Sequence, residues 1–285
     1  MTKIANFSGT GESRPTVIAL HCSGATGAQW RQLRSDLGPR FSLVTPDLIG
    51  DGNIDGWTGE RPFTLSDEAA SVVRVIDSVD RPVHLVGHSY GGCVALRCAI
   101  ERPSRIASLT LYEPTAFSVL KTMGPDGKSV LRDLVGTARD VGRSILTGAY
   151  HAAARRFVEY WNREGSWQAM RPEGRDILVR YIPKACLEFF AGVNERTPLA
   201  AYRYIKCPVL LLQGEHTHLP MRMIARQLSK VMRSASLQTV YGASHMGPFS
   251  HATSVSGMMV NHIAAAEDRL PGGEGTIPRH IHQAA

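Results

Sequence analysis

The sequence predicts an α/β protein whose mostly parallel sheet is flanked by helices and interrupted by an inserted helical cap. Short apolar runs typical of buried strands alternate with helix-like stretches over most of the 285 residues. Strands that alternate with helices in this way form parallel sheets covered on both faces. From 116 to 204 the alternation stops and only helical patterns continue. With 43% hydrophobic and 20% charged residues, the chain can bury a core of ordinary size.

Four strand-like runs occupy the chain up to residue 112. They lie at residues 16–21, 41–45, 83–86 and 106–112. Helical patterns occur in three stretches: in AQWRQLRSDL, in the residues that follow a capping box formed by Thr64 and Asp67, and in GGCVALRCAIE. Past residue 205, the strand-like runs PVLLLQG and SLQTVYG flank the helical stretch MRMIARQLSKVM. These runs are predicted to belong to one sheet.

The inserted block divides the chain into a core and a cap. Residues 1–115 and 205–268 are predicted to form the α/β core, because the strand signals lie there. Residues 116–204 are predicted to form the helical cap, since strand signals return only at Pro208. Residues 269–285, rich in Gly, Pro and His, are expected to form a flexible C-terminal tail.

The net charge of +7 raises the question of a nucleic-acid partner. Residues 115–205 hold 14 Lys and Arg against 9 Asp and Glu, but these bases are spread along helical patterns and no nucleic-acid-binding motif accompanies them. We therefore expect no nucleic-acid partner. The expected partner is a small-molecule substrate, and a basic surface is compatible with an anionic one.

Cysteine content and hydropathy bear on the location of the protein. The five cysteines are odd in number and lack CxxC spacing, which is typical of reduced thiols. The N-terminal sequence has no apolar signal-peptide segment, and no apolar run reaches membrane-spanning length. We expect a cytoplasmic monomer or homodimer that does not bind membranes.

The stretch VGHSYGG carries the strongest chemical signal. Ser89 stands between Gly87 and Gly91, where a strand-like run meets a helical pattern. A serine on a sharp turn between strand and helix is held above the sheet, and the glycines let strand and helix cross closely. Ser89 is therefore the candidate nucleophile.

With these motifs, the chain resembles the α/β-hydrolase superfamily, and in particular cap-bearing bacterial serine hydrolases. The resemblance runs from about residue 16 to residue 266 and rests on LHCSG, PDLIGDG, GHSYGG, LYEP and GASHMGP. It implies a Ser–His–acid catalytic triad, an acyl-enzyme on Ser89 and two backbone N–H donors that form an oxyanion hole.

The resemblance also places the oxyanion hole. One donor is the residue after the nucleophile, here Tyr90, and the other lies on the loop after the first strand, here Ser23. That loop usually has glycine where this chain has Cys22. His21, on the same loop, and Asp47, in PDLIGDG, are expected to be structural.

Among eleven histidines, the candidate base is His245. It follows the last strand-like run in the loop GASHMGP, late in the chain, where this fold places its base. His251 is its rival, and His88 is expected to point away from the nucleophile. Two other histidine pairs lack a third ligand at a convincing spacing, so no metal and no other cofactor is expected.

The sequence leaves more than one candidate for the acid of the triad. The usual place, three residues after Gly214, holds Thr217, and the carboxylates nearby are Glu215 and Glu113. Glu113 follows the neighbouring strand, and adjacent strands lie about 4.8 Å apart, so its side chain can reach the same histidine. Pro114 is expected to hold Glu113 extended. The alternatives are Glu113, Glu215 and a base without an acid, and Glu113 is the preferred one.

The predicted function is cleavage of a small carboxylic ester or related acyl compound, with Ser89, His245 and Glu113 as triad. The same fold hosts C–C bond hydrolases and lyases, which is one alternative. A ligand-binding protein on a hydrolase scaffold that has lost its activity is another, and the missing aspartate would suit it.

Overall fold

A computed structural model describes residues 14–52, 54–162 and 164–270. Its six described strands form one sheet in the order β2-β1-β3-β4-β5-β6, and every neighbouring pair is parallel. The strands are β1 (Thr16–Leu20), β2 (Ser42–Val44), β3 (Val83–His88), β4 (Ile106–Tyr112), β5 (Val209–Gly214) and β6 (Ala235–Val240). The predicted fold class is confirmed.

Ten α-helices accompany the sheet in the described ranges. They are α1 (Arg31–Leu37), α2 (Leu65–Asp77), α3 (Tyr90–Glu101), α4 (Gly124–Leu146), α5 (Tyr150–Trp161), α6 (Ser166–Ala169), α7 (Pro172–Val193), α8 (Leu219–Val231), α9 (Gly247–Ser250) and α10 (Ala252–Glu267). Short 3₁₀ helices lie at Gly27–Trp30, Gly38–Arg40, Pro103–Arg105, Phe117–Thr122 and Leu199–Tyr204. The capping box of Thr64 and Asp67 begins α2, as its sequence predicts. None of the described helices is long and apolar enough to cross a membrane.

The two faces of the sheet carry separate apolar clusters. In β1, Ile18 and Leu20 belong to one cluster, while Val17 and Ala19 belong to the other, because successive side chains of a strand point to opposite faces. The first cluster includes residues of α2, α3 and α8, and the second includes residues of α1 and α10. The sheet is therefore the middle layer of three, and its strand ends are left to carry the site.

The described residues between β4 and β5 contain helices and loops but no strand. Helices α4 to α7 lie there, and all four contribute to a small apolar cluster of their own around Val141, Ala153, Trp167 and Ile182. This separate cluster is what an inserted cap needs in order to hold its shape. The division into a core of 1–115 and 205–268 and a cap of 116–204 stays a prediction, and positions 271–285 of the predicted tail lie outside the described residues.

Candidate active site

Ser89 occupies the sharp turn between β3 and α3. Its φ of 54° is one of two positive values among the described residues other than glycine. A Cβ atom at Gly87 would lie 2.5 Å from the Gly91 carbonyl oxygen, and one at Gly91 would lie 2.3 Å from the His21 carbonyl oxygen. Both positions therefore require glycine, and the strained turn holds the Ser89 hydroxyl at the N-terminus of α3.

Three buried side chains form one hydrogen-bonded row. The His245 Nε2 atom lies 2.9 Å from the Ser89 Oγ atom, and its Nδ1 atom lies 2.7 Å from Glu113 Oε2. Ser89, His245 and Glu113 are 5%, 2% and 0% exposed. With Nδ1–H donating to the carboxylate, Nε2 is left to accept the Ser89 proton, which is the tautomer that a base needs. The three residues named from the sequence thus lie together.

The backbone of Glu113 differs from the expectation. Its φ is 42°, so the prediction that Pro114 holds it extended is wrong. Its own N–H donates to the Leu212 carbonyl at 3.0 Å, and its Oε1 atom accepts from the Gly214 N–H at 2.7 Å. These bonds to the end of β5, together with the bond to His245, hold Glu113 in a conformation that it would otherwise avoid.

The other candidates for acid and base lie apart from this row. Glu215 is an exposed residue whose Oε2 atom accepts from the Gly242 N–H at 2.8 Å. Thr217 is 4% exposed, and its Oγ1 atom has no hydrogen-bond partner among the described residues. The His251 ring bonds to the Ser250 hydroxyl at 2.9 Å. The structure therefore brings Glu113, and neither Glu215 nor Thr217, to His245.

The loop that carries His245 is held by side chains from β3 and β4. The His88 Nε2–H donates to the His245 carbonyl at 2.9 Å, and the Tyr112 hydroxyl donates to the Ser244 carbonyl at 2.7 Å. The His88 Nδ1 atom accepts from the Gln29 amide at 3.1 Å. Burial lowers the pKa of His88 well below its usual value, so the ring stays neutral and keeps this tautomer.

Ser23 and Tyr90 line the same pocket as Ser89 and His245. Their backbone N–H groups make no hydrogen bond within the described part of the chain, so both remain available to a ligand. The preceding N–H, that of Cys22, is already bound to the Gln29 side chain at 3.0 Å. This is the arrangement that two oxyanion donors require.

His21 and Asp47 have structural partners. The His21 Nε2 atom accepts from the Leu48 N–H at 3.1 Å, and its Nδ1–H donates to the Cys22 carbonyl at 2.9 Å. Burial lowers the pKa of His21. Asp47 accepts from the Gly27 N–H at 2.9 Å. Both side chains therefore shape the loops around the site and point their polar atoms at backbone groups.

Aromatic residues of the inserted helices cover the triad. The Trp161 ring of α5 stacks on the His245 ring with centroids 4.8 Å apart at 30°. Tyr160 lines the same pocket and stacks on His218 with centroids 5.8 Å apart. Trp167 lies instead in the separate apolar cluster of the inserted helices. Tyr160 and Trp161 thus wall the site, whereas Trp167 supports the inserted helices from within.

The pocket above Ser89 is mainly apolar. Its far wall comes from the inserted helices and includes Leu134, Val141, Phe157, Ala185 and Phe189. Its charged residue, apart from the titratable His245, is Glu188, and the described lining includes no lysine or arginine. The site therefore offers an apolar volume next to the Ser89 hydroxyl, the His245 ring and the backbone N–H groups of Ser23 and Tyr90.

Comparison with known proteins defines the class. Residues 17–256 match the model of the alpha/beta hydrolase family, and the chain belongs to this family. It is 35% identical over 106 residues to Lipase LipV of Mycobacterium tuberculosis, a match that covers 36% of this chain and 39% of that one. It is 26% identical over 261 residues to a pimeloyl-[acyl-carrier protein] methyl ester esterase of Methylococcus capsulatus, covering 88% of this chain and 96% of the esterase. A crystal structure of a hydrolase from Pseudomonas aeruginosa PA01 shares the fold with a TM-score of 0.69 at 21% identity, covering 88% of this chain and 90% of that one.

Sequence reasoning missed a set of buried polar residues on α7. Glu188 is 2% exposed and reaches the pocket, while Tyr181 and Lys184 lie on the same side of the helix. Their spacing of three and four residues was the available signal, because such positions share one helix face. The partners of that face, Ser23, Asp51 and Glu68, come from two loops and from α2, which no local pattern identifies.

Proposed function

We propose that the protein is a serine hydrolase that cleaves a small carboxylic ester through an acyl-enzyme on Ser89. His245 takes the Ser89 proton as the hydroxyl attacks the ester carbonyl, and Glu113 stabilises the imidazolium that forms. The Ser23 and Tyr90 N–H groups stabilise the oxyanion of the tetrahedral intermediate. His245 then returns the proton to the leaving alcohol.

Water completes the reaction by the same route in reverse. His245 removes a proton from a water molecule as that water attacks the acyl-enzyme. The second tetrahedral intermediate then collapses: the bond between Ser89 Oγ and the acyl carbon breaks, His245 returns the proton to Ser89 Oγ, and the carboxylic acid is released. The observation that carries this proposal is the row of two hydrogen bonds, 2.9 Å from Ser89 to His245 and 2.7 Å from His245 to Glu113. This geometry is the one that acyl transfer through a serine requires.

The pocket supports a neutral, largely apolar acyl group. Its walls are aliphatic and aromatic, and its described lining includes no lysine or arginine that could pair with an anion. We therefore propose a neutral ester in place of the anionic substrate that the net charge alone would allow. The methyl ester esterase among the relatives supports an ester with a small alcohol.

Reaction with a fluorophosphonate, followed by a panel of p-nitrophenyl and methyl esters of increasing acyl length, tests the proposal. The wild type should be labelled and should hydrolyse neutral esters, and Ser89→Ala should do neither. Ser250→Ala, which changes an exposed serine, is the matched control and should behave as wild type. Equal labelling of the wild type and Ser89→Ala would contradict the assignment of the nucleophile.

The panel also separates the alternatives. Labelling of Ser89 without turnover of any ester would favour a C–C bond substrate for the same triad. The absence of both labelling and turnover would favour a ligand-binding protein on a hydrolase scaffold.

A further inference from the structure

The two candidate oxyanion donors are linked through their side chains. The Ser23 hydroxyl donates to Glu188 Oε2 at 2.5 Å, and the Tyr90 hydroxyl donates to Glu68 Oε2 at 3.3 Å. Both carboxyl groups lie near the ammonium group of Lys184. The Lys184 Nζ atom is 3.0 Å from Glu188 Oε1 and 4.0 Å from Glu68 Oε2. A single lysine of α7 therefore joins the loop after β1 to the first residue of α3.

Further contacts fix this lysine from several sides. Lys184 also forms an ion pair with Asp51, and the Tyr181 hydroxyl donates to Glu188 Oε2. The Lys184 side chain is 13% exposed, while Glu68, Glu188 and Asp51 are 0%, 2% and 5% exposed. Buried ion pairs with several partners hold a strict geometry, since any displacement leaves a charge without its partner.

We propose that Lys184 is a positioning residue, which sets the geometry of the oxyanion hole from the inserted helix α7. This inference rests on the proposed serine hydrolase function. In this proposal α7 does more than line the pocket. The two N–H donors reach the positions that catalysis requires only when α7 packs on the core.

The loop after β1 needs such a support. It carries Cys22 where a glycine is usual, and the Cys22 N–H is committed to Gln29. The next residue, Ser23, is therefore anchored from the side of α7 through its hydroxyl. Gly24 follows with a φ of 72°, and a Cβ atom there would lie 2.8 Å from a Leu178 methyl group of α7. The loop thus contacts α7 both by a hydrogen bond and by close packing.

Loss of the contacts that position the two N–H donors should change the kinetics of the reaction. An oxyanion donor acts mainly in the transition state, so a displaced donor lowers kcat and leaves substrate affinity nearly unchanged. Ser23→Ala keeps the backbone N–H and removes only its anchor. Lys184→Met keeps the length of the side chain and removes the charge that joins the two donors.

The experiment measures kcat, KM, the rate of fluorophosphonate labelling and the affinity for a boronic acid that forms a tetrahedral adduct on Ser89. We expect kcat to fall about tenfold in Ser23→Ala and about 10- to 100-fold in Lys184→Met, by analogy with misplaced or deleted donors. Labelling rate and boronate affinity should fall in parallel, while KM changes little. Ser23→Thr, which restores a hydroxyl, should recover most of the loss.

Arg180→Met is the matched control, because Arg180 is an exposed cation of the same helix; it should leave all four quantities unchanged. Thermal unfolding of each variant identifies loss of fold, and Glu188→Gln, which keeps a polar side chain of the same size, replaces Lys184→Met if that variant does not fold. The inference is overturned if Ser23→Ala and the folded Lys184 or Glu188 variant keep wild-type kcat and boronate affinity and lose only thermal stability. A wild type that no fluorophosphonate labels would overturn the proposed function itself, which is a separate outcome.

Discussion

The His88 ring donates a hydrogen bond to the backbone carbonyl of His245 at 2.9 Å. The residue before Ser89 thus holds the main chain of His245, while Ser89 itself contacts the His245 side chain. Gln29 accepts from the Cys22 N–H and donates to the same His88 ring. Through these bonds one buried imidazole connects the loop of the oxyanion hole to the loop of the base.

Replacing His88 by phenylalanine should therefore affect both stability and rate. The ring volume is kept, but the His245 carbonyl and the Gln29 amide lose their partner, which costs about 2–4 kcal/mol of unfolding free energy for two buried groups. We expect kcat to fall about tenfold as His245 loses its fixed position. Urea unfolding and ester kinetics measure the two effects. His216→Phe, at an exposed histidine, should change neither quantity. An unaffected kcat in folded His88→Phe would contradict a role of His88 in positioning His245.

The identity of the acid can be tested by two amide substitutions. Glu113→Gln should leave the protein folded but favour the wrong tautomer of His245, and we expect acylation to slow by up to about 10⁴-fold. Glu215→Gln is the control, because that carboxylate binds the Gly242 N–H at the surface. Single-turnover measurement of acylation is the assay. A larger loss in Glu215→Gln than in Glu113→Gln would place the acid on its usual loop.

Thr217 provides a test of stability. Its buried hydroxyl has no hydrogen-bond partner among the described residues, and an unpaired buried polar group costs about 1–3 kcal/mol. Thr217→Val keeps the shape and removes that group. We expect the urea midpoint to stay the same or rise, with unchanged kcat. A decrease of more than about 1 kcal/mol in the free energy of unfolding would instead show that the hydroxyl is hydrogen-bonded, because a broken hydrogen bond typically costs that much.

The carboxyl groups around Lys184 make stability depend on pH. Burial raises the pKa of Glu68 from 4.5 to about 7 and that of Asp51 from 3.8 to about 7, with Lys184 opposing both shifts. A raised pKa in the folded state means that folding takes up protons. The contribution to stability is complete below the unfolded pKa values and is lost as the pH rises through about 7. The free energy of unfolding from urea titrations should therefore be lower at pH 8 than at pH 5.

Glu68→Gln separates this effect from general pH dependence. The amide cannot ionise, so the decrease between these two pH values should be smaller by on the order of 1–3 kcal/mol. Glu60→Gln, which changes an exposed glutamate, should retain the wild-type dependence. A Glu68→Gln variant with that same dependence would contradict a raised pKa at Glu68.

Local patterns were sufficient for much of the fold and for the triad. The nucleophile is recognisable because Gly87 and Gly91 report a close crossing of strand and helix, and Glu113 could be inferred because adjacent parallel strands end side by side. The turn at Glu113 was mispredicted, since three tertiary hydrogen bonds outweigh the local preference before Pro114. The cluster around Lys184 was not predicted for a related reason: two of its carboxyl groups, Asp51 and Glu68, lie far from α7 in the chain.

The position of Glu113 has a consequence for how this enzyme scaffold can be altered. The His245 ring donates its hydrogen bond to Glu113, next to the end of β4, whereas the carboxylate after β5, Glu215, binds the Gly242 N–H. The segment after β5 therefore does not supply the carboxylate that binds His245. His218 in this segment still stacks on Tyr160, which lines the pocket. If the proposed function holds, loop grafting at residues 215–218 should reshape substrate preference while Ser89, His245 and Glu113 keep their contacts.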